Sequence, residues 1–481
     1  MGEPPRPSSS QEDGAASEAP PVDAPTAPVP RAGGGPTGEA PSALRLFGTR
    51  AFFRLWLAQV VSSLGDWIGF IALTAIAARV GGSSPEGAIS LVLAARLVPG
   101  FFLGPTAGVF VDRWDRKRVM VVCDVGRGLV LASLPLVDTV PGLILASLLL
   151  EILTLLWSPA KEASVPNLVR QEFLANANSL SLVAAYGTFP IGSALFAALA
   201  GVAKWLSRHD ALEGLSQESL AIYFDVATFF LSAVLISTLA LPGQRRPHEG
   251  DGHGVQLKRT FQELGEGWRF IGKSPLVRSV ILGIATGLVG GGMLVPLGPV
   301  MSKQVLGGGV AGFGLLLTAL GTGVAGGIIA LSVLQSRVPH ERVFVLSVLV
   351  AGACQIAGAS MSTLTPALAF VGVLGLCAGS VYILGFTILQ TNVEDELRGR
   401  IFASLYTLTR FCLLLAFTLA PILSSLLDKL SARLFDRSVS VGGLSVTLPG
   451  VRLTLWLGGA IILAAGVLAR GALATRPSPS R

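Results

Sequence analysis

Over most of this chain apolar residues neither alternate nor recur at helical spacing. They run on. From residue 52, stretches of about 20 apolar residues with few charges follow one another, separated by short polar turns. A stretch of that length crosses the ~30 Å hydrocarbon core of a bilayer as a helix, and a helix satisfies its own backbone there. The pattern predicts twelve spans, near 52–79, 88–111, 119–137, 142–163, 179–203, 219–241, 276–301, 312–334, 343–363, 366–391, 401–426 and 451–470.

What lies between and outside the spans divides the chain further. Residues 1–43 are a Pro/Gly/Ser/Ala tail with scattered acids, too poor in apolar groups to fold. They lack the basic and apolar regions of a signal peptide and predict a disordered cytoplasmic extension. Residues 44–242 hold the first six spans and 276–470 the second six, with a short polar tail at 471–481. The connection 243–275 places Leu257, Phe261, Leu264, Trp268 and Ile271 at helical spacing among charges. That spacing predicts an amphipathic helix along the inner leaflet.

Composition excludes most soluble functions. Hydrophobic residues make up 51% of the 481 and charged residues 14%, where soluble domains carry roughly a quarter charged. No room is left for a large soluble catalytic domain. Cys123, Cys354, Cys377 and Cys412 lie in apolar stretches without CxxC spacing, and His209, His248, His253 and His340 lie in or beside polar loops. Neither a disulfide framework, nor a metal site, nor a bound cofactor is expected. There is no Ser/His, Cys/His or HExxH arrangement, so no enzyme is expected.

Charge sets orientation. An even number of spans puts both termini on one side. The tails and the loops after spans 2, 4, 6, 8 and 10 hold most of the 36 Lys and Arg, which predicts cytoplasmic termini. Arg outnumbers Lys, and Ala and Gly abound, as in a GC-rich bacterial genome. The expected location is the bacterial cytoplasmic (inner) membrane.

Between spans 2 and 3 stands Gly108-Val-Phe-Val-Asp112-Arg113-Trp-Asp115-Arg116-Lys117-Arg118. Gly108 lets helices approach closely. Asp112 ends a span, where it can pair with basic groups or a facing helix N-terminus. Arg113, Arg116, Lys117 and Arg118 suit an anionic membrane surface. Arg113…Arg118 is echoed by Arg337…Arg342 after span 8, and Ser179-Leu180 by Ser404-Leu405. With six spans on each side, the echoes suggest parallel repeats about an axis normal to the membrane.

The loop 2–3 string resembles the signature of the major facilitator superfamily. Ser62-Ser-Leu-Gly65-Asp66-Trp67, Asp124-Val-Gly-Arg127, Pro166-Asn-Leu-Val with Ala175-Asn176, and Leu397-Arg398-Gly399-Arg400 are similar to its 12-span drug/siderophore exporter branch, which includes macrolide efflux pumps and the enterobactin exporter. The resemblance implies an all-α membrane fold of two pseudo-symmetric six-helix halves, alternating access and proton coupling. In span 5, Gly187-Thr-Phe-Pro190-Ile-Gly192 is similar to the Gly-Pro motif of antiporter members, with Phe189 where that motif prefers Gly. A packing kink is the other reading of it.

Gly267-Trp-Arg-Phe-Ile-Gly272-Lys273-Ser274 matches a phosphate-loop pattern. That chemistry needs a strand before and a soluble helix after. An amphipathic segment precedes it here and Pro275 follows, so neither a nucleotide nor a nucleic acid is an expected partner.

Charges within spans are expensive and point to function. They are Asp66, Arg96, Asp124, Arg127, Glu151, Asp225 and Arg410. At a rise of about 1.5 Å per residue, Asp66, Arg127, Glu151 and Arg410 fall close to mid-membrane. Asp124 and Arg127, three apart, share one helix face. One reading is a proton relay, with Asp66 or Glu151 protonated in one state and paired with Arg127 in another. Desolvation favours the neutral acid and a nearby arginine the charged one, so movement couples to proton binding. The other reading is a static ion-pair network, favoured for Asp124–Arg127 and for Asp225.

Candidate groups for a cavity between the halves are Gln59, Trp67, Tyr186, Tyr382, Gln390, Arg410 and Phe411. Each also suits interhelical packing. Aromatics with few polar groups favour bulky amphipathic solutes over sugars. The leading expectation is a monomer that exports a hydrophobic small molecule, such as a drug, macrolide-like metabolite or siderophore, with protons and the lipid bilayer as its other partners. Lysophospholipid transport is the second expectation. A non-transporting scaffold or sensor is the third, and it would gain little from such expensive charges.

Overall fold

Among the described residues, twelve helices are long and apolar enough to cross a bilayer. The computed structural model describes residues 2, 47–82, 84–111, 114–170, 173–207, 218–240, 272, 274–334, 337–393, 395–441 and 444–474. The 1–43 tail apart from Gly2, the amphipathic segment Leu257–Ile271, Asp112, Arg113 and most of the 471–481 tail lie outside them.

The spans run Arg50–Val80, Pro85–Leu103, Arg116–Leu136, Val140–Asn167, Asn176–Ser207 and Ser219–Ser237 in the first half. Those of the second are Pro275–Val305, Gly309–Leu334, His340–Ser360, Leu364–Asn392, Thr407–Leu434 and Gly450–Arg470. They are numbered 1–12 in that order. Short polar residues start several of them. Thr49 accepts the N–H of Phe52 at 3.1 Å, Asp115 that of Arg118 at 2.8 Å and Thr139 that of Gly142 at 3.3 Å. Each meets an N-terminal donor that the helix leaves unpaired. Proline and glycine break others. Pro135 tightens the end of span 3 into a 3₁₀ turn over Leu134–Leu136. Gly187 ends the helix Leu174–Tyr186, and a new one, Phe189–Ser207, completes span 5. Span 7 is segmented into Pro275–Gly292, Leu294–Val300 and a π turn at Met301–Val305.

Two features depart from the hydropathy reading. The helix carrying span 11 runs Asp395–Phe435, 41 residues, about twice what the core needs. After it comes a hairpin, β1 (Ser438–Val441) paired antiparallel with β2 (Leu444–Thr447), Ser438 opposite Thr447.

The internal repeat is visible in the packing. In the first half span 1 packs on 6, 2 on 4, and 3 on both 4 and 6. In the second, 7 packs on 12, 8 on 10, and 9 on both 10 and 12. Spans 8 and 10 touch through backbone. A Cβ at Gly323 would meet the Leu376 nitrogen at 2.8 Å, one at Gly375 the Leu320 carbonyl carbon at 3.0 Å, and one at Gly327 or Gly379 backbone likewise.

The halves join chiefly through spans 2 with 11 and 5 with 8, with the Leu294–Val300 segment of span 7 against spans 1 and 2. Ser90 donates to the Phe417 carbonyl. Thr318 and Ser193 hydroxyls lie 3.3 Å apart. A Cβ at Gly314 would meet Ala197 Cβ at 2.9 Å. These junctions run from the end of the bundle opposite the termini, here the far end, to about its middle.

Candidate functional site

Spans 1, 3, 4 and 6 enclose a charged cluster inside the first half. Its centre is Arg127, 1% exposed. One guanidinium nitrogen faces Asp66 Oδ2 of span 1 at 3.3 Å. The other pairs with Asp124, one turn earlier on span 3, and reaches Ser62 Oγ at 3.4 Å. Asp124 is fully buried, and its second oxygen accepts from Ser232 Oγ of span 6 at 2.7 Å. The rings of Phe229 and Trp157 lie 4.4 and 5.2 Å from the guanidinium carbon. A buried ion survives only when paired and hydrogen-bonded, and aromatic faces add cation–π attraction.

The two carboxylates differ. Asp124 is held on every side. Asp66 is 31% exposed at its side chain while the arginine it meets is sealed. Protonating Asp66 therefore removes one contact from Arg127 and leaves the other intact.

A second group of charges draws on both halves. Glu151 of span 4 is half-buried and faces span 2, where a Cβ at Gly100 would lie 3.9 Å from its Oε1. The charges acting on it are Arg96 of span 2, Asp66 of span 1 and Arg410 of span 11. Arg96 also sits over the Phe70 ring at 5.7 Å. Arg410 is exposed.

The cavity candidates separate into two sets. Gln59 is buried and donates to the Ser181 carbonyl at 2.9 Å. Trp67 donates to Ala185 at 3.1 Å, and Trp56 to Leu180 at 2.9 Å. All three pin span 1 to span 5. Tyr186, Tyr382, Gln390 and Phe411 are exposed, and Tyr382 tilts on Phe386 at 4.5 Å.

The Gly187–Gly192 segment sits where the halves meet. Span 5 breaks at Gly187, and the Phe189 ring packs edge-on to Trp67 at 4.7 Å. The same ring would stand 2.7 Å from a Cβ at Gly321 of span 8. Gly192 lies against Trp67 and the Leu64 carbonyl.

In the loop 2–3 string, Gly108 lies in the helix Pro85–Val111. Asp115 caps span 3, and Arg116 donates to the Ala163 carbonyl at the end of span 4 at 2.7 Å. Lys117 is half-buried and Arg118 exposed. Of the phosphate-loop match, Ser274 accepts from Val277 N at 3.5 Å and starts span 7 ahead of Pro275. Most of the match lies outside the described residues. Among the described residues no three His, Cys, Asp or Glu gather as a metal site.

Several contributors were not singled out from sequence. Ser232, Trp157 and Phe229 complete the Arg127 site together with Ser62, which the sequence marks only as part of the span 1 string. Arg452, fully buried, donates to the Ala359 and Met361 carbonyls at 2.9 Å and to the Thr447 carbonyl at 2.5 Å. It ties span 12 to the span 9–10 turn and to β2. Its place near the end of an apolar run was the one signal available.

A description of the Major Facilitator Superfamily matches residues 55–421. The chain is 25% identical over 381 residues to the uncharacterized MFS-type transporter YfiS of Bacillus subtilis, covering 75% of this chain and 83% of that one. It is 24% identical over 367 residues to the multidrug efflux pump Tap of Mycobacterium tuberculosis, covering 73% and 81%. A bacterial homologue of the human lysosomal transporter Spinster, in an inward-facing and unoccupied conformation, superposes with a TM-score of 0.66 at 16% identity, over 90% of this chain and all of that one. The nucleoside transporter NupG superposes at 0.64, with 11% identity over 89% of this chain and all of its own. With twelve spans in two similarly packed halves and a family match across most of its length, the chain is a multi-pass membrane protein that belongs to the Major Facilitator Superfamily.

Proposed function

We propose that this protein is a proton-coupled antiporter that exports hydrophobic or amphipathic small molecules across the bacterial cytoplasmic membrane, with both termini in the cytoplasm. The Asp66–Arg127 pair carries this reading. One member is open to water and the other is sealed with a second, permanent partner. A proton arriving at Asp66 neutralises it and loosens span 1 from span 3. Arg127 keeps Asp124, so the cost of the break is bounded. Glu151, between arginines of both halves, is the matching group through which a proton or a cationic substrate acts on their separation. The similarity to a multidrug efflux pump supports export, and the bias of Lys and Arg supports the orientation.

The junctions at the far end fit a bundle open toward the termini. Arg116 fastens the start of span 3 to the end of span 4, which supports a gating role for the loop 2–3 string of Gly108, Asp112, Arg113, Arg116, Lys117 and Arg118. The exposed aromatics Tyr186, Tyr382 and Phe411, with Gln390 and Arg410, offer a surface for amphipathic solutes. The chain works as a monomer, with 44–242 and 276–470 as the moving halves.

The test is pH-gradient-driven efflux of a dye and drug panel from proteoliposomes. Wild type exports at least one compound. Asp66→Asn and Glu151→Gln insert normally and lose gradient-driven export by about a hundredfold, the scale of losing one proton-transfer group. Full export by both variants would sink the coupling role.

A further inference from the structure

One carboxyl in the first half takes no part in the network around Arg127. Asp225 of span 6 is 1% exposed. Its Oδ1 lies 3.2 Å from Thr228 Oγ1, whose hydroxyl also reaches the Asp225 main-chain carbonyl at 2.7 Å, and its Oδ2 is buried with no hydrogen-bond partner. Among the described residues no cation comes within 4.0 Å of it. The carboxyl lies against span 1 where Gly65 and Gly69 stand, and a Cβ at either would overlap its oxygens. The two glycines, one turn apart, make its seat.

Spans 1, 3 and 5 pack on span 6. Asp66 acts on Asp225 from span 1 and Arg127 from span 3, with Arg96 adding from span 2. Span 5 carries one charge, Lys204, near its far end. Three aspartates thus surround one arginine. Asp124 and Asp66 take its two pairing directions, and Asp225 is left dry and uncompensated. A lone ionised carboxylate in such surroundings is strongly disfavoured when nothing pairs it.

We infer that Asp225 holds a proton in this conformation and is the internal site from which Asp66 is protonated during the transport cycle. This rests on the proton-coupled reading of Asp66. In the exchange the O–H bond at Asp225 breaks and one at Asp66 forms, with the proton replaced from bulk water over the cycle. Arg127 gives up Asp66 and turns to Asp225. The charge of the cluster is unchanged, since proton and guanidinium contact trade places. The missing side chains at Gly65 and Gly69 leave the carboxyl room against the stretch of span 1 that carries Asp66.

The experiment uses the full-length protein in liposomes and two readouts. Infrared spectroscopy at neutral pH should show a protonated-carboxyl C=O band that Asp225→Asn lacks and that Thr228→Val shifts, because that variant removes the one hydroxyl within hydrogen-bond reach of the carboxyl. Ethidium efflux driven by a pH gradient should fall more than about tenfold in Asp225→Asn, while ethidium exchange without a gradient persists. Absence of the band in wild type, its persistence in Asp225→Asn, an unshifted band in Thr228→Val, or wild-type gradient-driven efflux by Asp225→Asn each overturns the inference. If Asp225→Asn does not fold, the wild-type and Thr228→Val spectra still decide. Failure of the antiport reading is distinct: wild type would then show the Asp225 band with no gradient-driven flux of any compound.

Discussion

Removing the guanidinium of Arg127 strands two carboxylates, whereas removing the Asp66 charge strands nothing. Arg127→Gln should therefore destabilise the protein by about 3–5 kcal/mol, the scale of an unpaired buried charge, and Asp66→Asn by about 1 kcal/mol or less. Thermal unfolding in detergent measures both. Adding Asp124→Asn to Arg127→Gln should recover part of the loss, since residues in one network do not act additively. A double variant as unstable as the sum of its singles would refute the pairing. At this scale the sequence carried a good part of the site. Asp124 and Arg127 stand three apart in an apolar run, and Asp66 falls at a matching depth. The remainder was hidden because hydropathy gives a residue's depth and not the helix its face meets. Ser232 reads as one more small polar group until span 6 lies on span 3. Asp225 reads as one more acid until Gly65 and Gly69 are seen beneath it.

Helices 8 and 10 approach through four glycines, and the neighbours of those glycines supply the control. Gly327 meets backbone of span 10, and Gly326, next to it, has nothing within 4 Å. Gly327→Val should force the helices apart and lower folded yield several-fold, and Gly326→Val should leave it near wild type. Fluorescence-detected size exclusion compares them, and equal behaviour would count against the close packing. The hairpin permits a second test. Arg452→Met leaves three carbonyls without their donors, and each orphaned acceptor costs about 1–3 kcal/mol. Protease added at the far end should then cut within 438–447 where wild type resists. The hairpin was legible: Val439, Val441, Leu444 and Val446 alternate with polar residues around Gly442-Gly443. A search for long apolar runs passes over so short an alternation. For the same reason hydropathy marks an apolar span, 401–426, and not the ends of the 41-residue helix that carries it. Polar helix formers continue a helix into water with no mark on a hydropathy profile.

The whole molecule is two copies of one packing plan joined chiefly at spans 2 with 11 and 5 with 8. The proposed transport cycle requires the far-end junctions to part. Ser193 and Thr318 hydroxyls are 3.3 Å apart across that junction, a separation a disulfide bridges after small shifts. With Cys123, Cys354, Cys377 and Cys412 replaced, Ser193→Cys with Thr318→Cys should cross-link under oxidant and halt export, and reductant should restore it. Export that continues at full rate through complete cross-linking would show that this junction never opens. Phe189 and Gly321 complete the same junction, a ring set into a gap of its own size. The bulk is encoded in one half of the gene and the vacancy in the other, so they are inherited as one unit. A chimera joining residues 44–242 to the second half of a relative with a large side chain at the position of Gly321 will not close, however well each half folds, until position 189 shrinks with it.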